Sequence, residues 1–226
     1  MKNVLFTTSG CISCNKELQN ALYNNEFLPN LFKMISGFLI LAVIVAVLSY
    51  FSLKKYRKNR RTVMQKYVPN PVPLSITATI LGIGIGGFID GIFMHQILQW
   101  HGMFTNKLPA DTVIGKSVNM FWDGIFHLLT LTAVIIGIVS LTRLMRMHNV
   151  NSSPKLVWGG FFAGWGLFNF VEGLLHHHIL EFHNVRELSQ HQDLWNYGFL
   201  LSGPLFMAIG FYIIFHRDYY PKRVEQ

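Results

Sequence analysis

Apolar residues in this 226-residue chain gather into five runs, at 34–53, 75–100, 117–142, 156–178 and 194–215, with polar stretches between them. Each run is twenty residues or longer, the length a helix rising 1.5 Å per residue needs to cross a hydrocarbon layer about 30 Å thick. The pattern predicts an all-α integral membrane helical bundle with five spans. The first run is expected to stay in place rather than be cleaved as a signal peptide. A 33-residue polar segment precedes it, and "KKYRKNRR" at 54–61 follows it like a stop-transfer block.

Composition agrees: 51% of residues are hydrophobic and only 13% charged, with a mean hydropathy of +0.33, too apolar for an ordinary soluble domain. The net charge of +8 could suggest nucleic acid, but the basic residues sit in the loops and report orientation instead. Seven Lys/Arg fall in 54–74, three in 143–155 and three after 215, against three before 34, two in 101–116 and one in 179–193. By the positive-inside rule the first set of loops is cytoplasmic, so the N-terminus is expected outside and the C-terminus inside.

Residues 88–101, "FIDGIFMHQILQWH", align without gaps on 170–183, "FVEGLLHHHILEFH", with six of fourteen positions identical. The recurring acid, glycine and histidines are not explained by apolarity alone. Both copies run from inside to outside, so the second and fourth spans are parallel. A weaker echo, "WDGIFHL" at 122–128 against "WNYGFLL" at 195–201, relates the spans that follow. The expectation is a pseudo-twofold four-helix core over 75–216. The remainder is an external tail (1–33), a first transmembrane helix with its basic loop (34–74) and a cytoplasmic tail (217–226). Gly82, Gly84, Gly86, Gly87, Gly91, Gly164, Gly166 and Gly173 would let the helices approach closely. "GIGIGG" lies inside a span with no strand before it, and reads as packing rather than a phosphate loop.

Counting from the cytoplasmic ends at Ser75, Thr142 and Val157 places Asp90, His127 and Glu172 at a depth of about 22 Å, and His95, Asp123 and His177 at roughly 28–30 Å. Ionisable groups in a bilayer cost several kcal/mol unless paired, hydrated or bound to an ion, so their shared height needs a cause. At 3.6 residues per turn Asn119, Asp123 and His127 form one stripe, and Glu172 with His176 another. Imidazole with carboxylate suits zinc, copper, iron or nickel. The expected metal ligands are Asp90, His95, Asp123, His127, Glu172, His176 and His177, with His101 and His183 as ligands at the entrance. Interfacial placement alone would also account for His101, His183 and His191, and a neutral Asp–His packing network for the deeper groups. Bis-histidine haem between facing helices and a metal-free proton relay use the same residues. No H-E-x-x-H, E-x-x-H, catalytic serine or nucleotide signature is present.

"CISC" at 11–14 holds the only two cysteines. Outside the membrane the pair would form a disulfide or a copper-accepting dithiol; in an inverted topology it would be reduced.

The string D-G-x-x-x-H-Q-x-L-Q-W-H, carried by Asp90 to His101, with "WDGIFH" and "VEGLLHHHILEFH" after it, resembles a bacterial family of multipass membrane proteins catalogued as a domain of unknown function. The resemblance covers roughly 75–216. It implies a four-helix core in a bacterial inner membrane, and an association with respiratory-oxidase assembly factors that tilts the expected metal toward copper. The expected partners are the lipid bilayer and a respiratory-complex or metal-trafficking protein, with no nucleic acid.

Overall fold

The computed structural model describes residues 12–62, 70–147, 151 and 153–216. Every described element is helical: α1 Lys16–Leu22, α2 Phe27–Thr62, α3 Val72–Ile89, α4 Val113–Met145, α5 Pro154–Glu172 and α6 Gln192–Phe215, with a short 3₁₀ turn at Ile12–Cys14. Two further segments, Asp90–Ile97 and Gly173–Ile179, continue α3 and α5 as π-helix. Cys11 lies outside the described residues, and of Cys14 only the backbone is described.

Helix starts follow ordinary capping chemistry. Asn15 accepts from Glu17 N and Leu18 N at the head of α1, and Thr112 from Gly115 N at the head of α4, supplying acceptors for amides that have none within the helix. Pro73 and Pro154 stand in the first turns of α3 and α5, where a missing N–H costs nothing.

Among the described residues four helices are long and apolar enough to cross a membrane: Phe27–Lys58, Val72–Ile97, Val113–Met145 and Gln192–Phe215. The fifth expected span, α5 with its π extension, does not reach that apolarity, because Trp158, Trp165, Asn169, Glu172 and several glycines interrupt it. It packs instead between α3 and α6, and much of it is buried. A helix shielded by protein on its flanks has less need of a lipid-compatible surface. The first span also begins earlier than its apolar run, at Phe27 rather than residue 34. Part of the polar tail is structural as well, since α1 lies on α4 with Leu18 and Leu22 in the core.

Helix α3 packs on both α4 and α5, and α5 packs on α6. The α3–α5 contact is backbone to backbone: a Cβ on Gly82 would lie 2.0 Å from Phe161 O, and one on Gly164 2.0 Å from Thr79 O. Helix α2 lies across this core, with Phe38 against Phe126 and Gly37 against His176. Exposed Leu39, Val43, Val47, Tyr50 and Phe51 on its other side suit a lipid-facing surface.

Candidate metal centre

The two π segments end side by side, and their chemistry depends on the change in helical pitch. Leu98 N donates to Phe93 O and Leu180 N to Leu175 O, i to i−5 bonds that widen the turn and bring residues five apart onto one face. Asp90 and His95 therefore meet, with His95 Nε2 3.5 Å from Asp90 Oδ2. Glu172 likewise shares a ligand group with His177. Each segment then closes on a residue with left-handed backbone, Gln99 (φ 49°) and Glu181 (φ 48°), which turns the chain back over the bundle and carries His101 and His183 inward.

Both of these histidines are buried, His183 completely. His101 Nδ1 lies 2.7 Å from Val185 O and His183 Nδ1 3.0 Å from Met103 O. A carbonyl only accepts, so Nδ1 carries the proton in both rings and Nε2 is left with a bare lone pair. His95 differs, since its Nδ1 lies 2.8 Å from Asp123 Oδ1 and its Nε2 3.5 Å from Asp90 Oδ2, which sets the ring between two carboxylates. Burial, and next the charge of His95, pushes His101 down to about 4. Burial, followed by His101 and His177, pushes His183 well below the usual imidazole value. Both rings are therefore neutral at neutral pH, the form in which imidazole binds a metal.

The lone pairs converge. His95, His101 and His183 form one group, and Glu172, His177 and His183 a second, with the ligand atoms of each group within 4.8 Å of one another. His177 Nε2 lies 3.1 Å from His183 Nε2. Asp90 Oδ2, His95 Nε2, His101 Nε2, Glu172 Oε1 and His177 Nδ1 are buried with no hydrogen-bond partner among the described residues. Leaving a buried polar atom unpaired costs about 1–3 kcal/mol, so an ion shared among several of them would remove a large penalty.

The other expected ligands are placed differently. Asp123 sits behind His95 and also accepts from Met103 N at 2.9 Å; it orients the ring rather than facing the lone pairs. His127 donates from Nδ1 to Asp123 O and presses Nε2 against Gly91, where a Cβ would lie 2.6 Å away. His176 donates to Glu172 Oε2 and turns toward α2 at Gly37. The structure thus brings Asp90, His95, Glu172 and His177 together with His101 and His183, and sets Asp123, His127 and His176 around them.

Two loops cover the cluster and are bonded to each other. Asn106 N donates to Phe182 O and Glu187 N to Trp100 O; Thr105 Oγ1 donates to Glu187 Oε1. Arg186 lies over the rings of both Trp100 and Trp195. A cavity of about 790 Å³ reaches His95 and His101 past Gln96, Asn106, Asp111 and Lys116.

The helices and this buried cluster define a multipass all-α membrane protein with a histidine–carboxylate centre at one end of its bundle. Residues 77–217 match the model of the DUF2243 family, described as a predicted membrane protein, and the chain belongs to that family. No curated protein and no solved structure matches the chain.

Proposed function

We propose that the cluster binds one transition-metal ion, zinc or copper, through His95, His101 and His183, with Glu172 or His177 completing the shell. The observation that carries this reading is the common posture of three imidazoles. Each gives its Nδ1–H to a fixed acceptor and has its Nε2 free of any second hydrogen bond to a carbonyl, with the ligand atoms of the three within 4.8 Å of one another, as metal-bound histidines have. One ion is favoured over two, because His183 belongs to both groups and, with Nδ1 engaged on Met103, has a single lone pair to give.

Haem fits less well. The His101 and His183 rings stack at 4.5 Å with an 8° interplanar angle, leaving no slot for a macrocycle between them. The short His177–His183 contact favours the proton relay as the second reading. The loop distribution of Lys and Arg supports a centre at the external face of a bacterial inner membrane. A polar cavity leading to His95 and His101 supports an exchangeable ion, as metal delivery to a respiratory complex or a trafficking partner would require.

A duplicated architecture underlies the site in this reading. With 88–101 laid on 170–183, Gly82 corresponds to Gly164, Gln99 to Glu181 and His101 to His183. The bond from His101 to Val185 O mirrors that from His183 to Met103 O. Met103 N donates to Asp123 and Val185 N to Asn196, the pair that the echo between the following spans equates.

Metal analysis and an absorption spectrum of detergent-purified protein test the proposal. About one zinc or copper per chain is expected; metal-free folded protein, or a Soret band, would overturn it. Asp123→Asn is expected to keep the ion but weaken its affinity about 10–100-fold, the usual effect of losing a partner that orients a ligand, read by chelator competition. His127→Ala should leave the stoichiometry unchanged; loss of metal there, in folded protein, would move the ligand set toward α4.

A further inference from the structure

We infer that the outward face of α2 binds anionic phospholipid head groups through Lys54, Arg57 and Lys58, in the leaflet at the end of the bundle away from the metal centre. This surface acts independently of the metal and lies outside the residues that the family model matches.

Charge comes first. Between Glu26 and Asp90 the chain has no acidic residue, and it has none between Asp123 and Glu172. The segments 54–74 and 143–155 and the stretch after 215 hold seven, three and three Lys or Arg, against two acids, Asp218 and Glu225. Most of this positive charge therefore has no acid in the chain to neutralise it, and its counter-charge comes from outside.

Direction comes from the helix. α2 continues unbroken to Thr62, well past the end of its apolar run at Leu53. Residues three or four apart share a face, so Val47, Tyr50, Phe51, Lys54, Arg57 and Lys58 form one stripe, and all six are exposed. On the opposite side Leu41 and Val45 are buried, Ser49, Leu53 and Tyr56 are half-buried, and none is charged. Lys55, also exposed, lies to one side. The basic residues thus extend the face that meets hydrocarbon over the preceding turns, not the face that meets protein. A charge block that only fixes the orientation of a span needs number rather than direction.

Depth selects the occupant. Gly37 of α2 lies against His176 at the end that carries the metal centre, and Lys54 follows seventeen residues later, about 26 Å along the helix. The apolar run 34–53 covers about 30 Å, the thickness of the hydrocarbon layer, and Lys54 to Lys58 adds about 6 Å, close to the depth of one head-group layer. Three cations therefore stand at the level of lipid phosphates. Just inside them Tyr50 and Phe51 meet edge to face, with ring centroids 5.4 Å apart, at the boundary where aromatic rings are favoured. An acidic protein would approach from water and meet the helix beyond this level, whereas a phospholipid already lies beside the stripe.

Quenching of tryptophan fluorescence in lipid nanodiscs tests this without reference to the metal, so its failure is distinguishable from failure of the metal reading. Phe51→Trp puts an indole on the exposed stripe one turn before Lys54, and the unsubstituted protein supplies the background of its five tryptophans. The probes are phosphatidylglycerol and phosphatidylcholine, each brominated on its acyl chains and added at equal mole fraction to phosphatidylcholine discs. Phosphatidylglycerol is expected to be enriched about fivefold or more over phosphatidylcholine around the added indole. Raising the salt from about 0.1 to about 1 M, which shortens the screening length from about 10 to about 3 Å, should remove most of that enrichment. In the Phe51→Trp background, Lys54→Gln, Arg57→Gln and Lys58→Gln together should bring the ratio to about one. Arg143→Gln with Arg146→Gln removes charge near the C-terminal end of α4 and should leave the ratio within about twofold. Enrichment that ignores salt, or that survives the triple substitution, would overturn the proposal. The salt series keeps every charge in place, so a triple variant that failed to fold would not shield it. Equal enrichment of the two lipids would also overturn it, and would leave the stripe as a face for an acidic protein segment.

Discussion

Replacing His183 with alanine is expected to remove the metal altogether: content falls from about one ion per chain to background, with an affinity loss of about a thousandfold, near 4 kcal/mol. His183 is the one side chain common to both ligand groups. It is fully buried and locked through Met103 O, so water cannot readily take its place in a preformed geometry. Without it, His95 and His101 remain on one side, and Glu172 and His177 on the other. His176→Ala is the matched control. His176 is equally buried and only seven residues away, but it faces α2, so its loss should lower stability through the unpaired Glu172 while leaving the stoichiometry near one. Metal analysis with chelator competition on both variants, each checked for a cooperative thermal transition, decides the matter. Stoichiometric metal in folded His183→Ala would refute the ligand assignment.

That contrast also marks where the sequence is informative and where it is silent. The all-α membrane architecture follows from the apolar runs, since hydrocarbon thickness sets a length that side-chain composition reveals directly. Helix α5 is visible as the run 156–178, but it falls short of a span's apolarity because its flanks are covered by α3 and α6, which frees its composition from the demands of lipid. That Asp90, His95, Glu172 and His177 come to one level along the bundle is legible too, because a rise per residue converts number into height. What cannot be read is direction. Periodicity at 3.6 residues per turn puts His176 on the face of Glu172 and leaves His177 to one side. The structure keeps the His176–Glu172 pair, but the π segment also brings His177 to the opposite edge of the same carboxylate. Nothing in "EGLLHHHI" announces a π-helix, because the widened turn depends on what the segment packs against rather than on propensity. His101 and His183 were visible only as histidines just past a span. Their inward course depends on the backbone reversals at Gln99 and Glu181, two ordinary polar residues in a conformation usually left to glycine. The matching residues of the two copies were the one clue, since His101 and His183 close both strings.

The second large effect links packing to this chemistry over a distance. Gly82→Ala or Gly164→Ala is expected to destabilise the bundle by about 3 kcal/mol, and to lower metal affinity although neither residue touches a ligand. In each case the new Cβ would lie 2.0 Å from a backbone carbonyl of the facing helix, where ordinary contact begins at about 3.4 Å, and a backbone cannot rotate aside as a side chain can. α3 and α5 must therefore separate. Eight residues farther along, about 12 Å at 1.5 Å per residue, the same two helices carry Asp90 and Glu172, then His95 and His177. Ligands divided between two helices hold an ion only at the spacing those helices set, and a shift of even half an ångström exceeds what a preorganised site tolerates. Gly124→Ala on α4 is the control: a Cβ there meets nothing within 4 Å, and exchanging glycine for alanine within a helix should if anything stabilise it. Thermal stability and metal affinity should fall together for Gly82 and Gly164, while for Gly124 affinity should hold and stability should be equal or higher. A Gly82→Ala protein with native stability and native affinity would show that the α3–α5 contact does not position the centre, and that the two loops alone hold His101 and His183 in place.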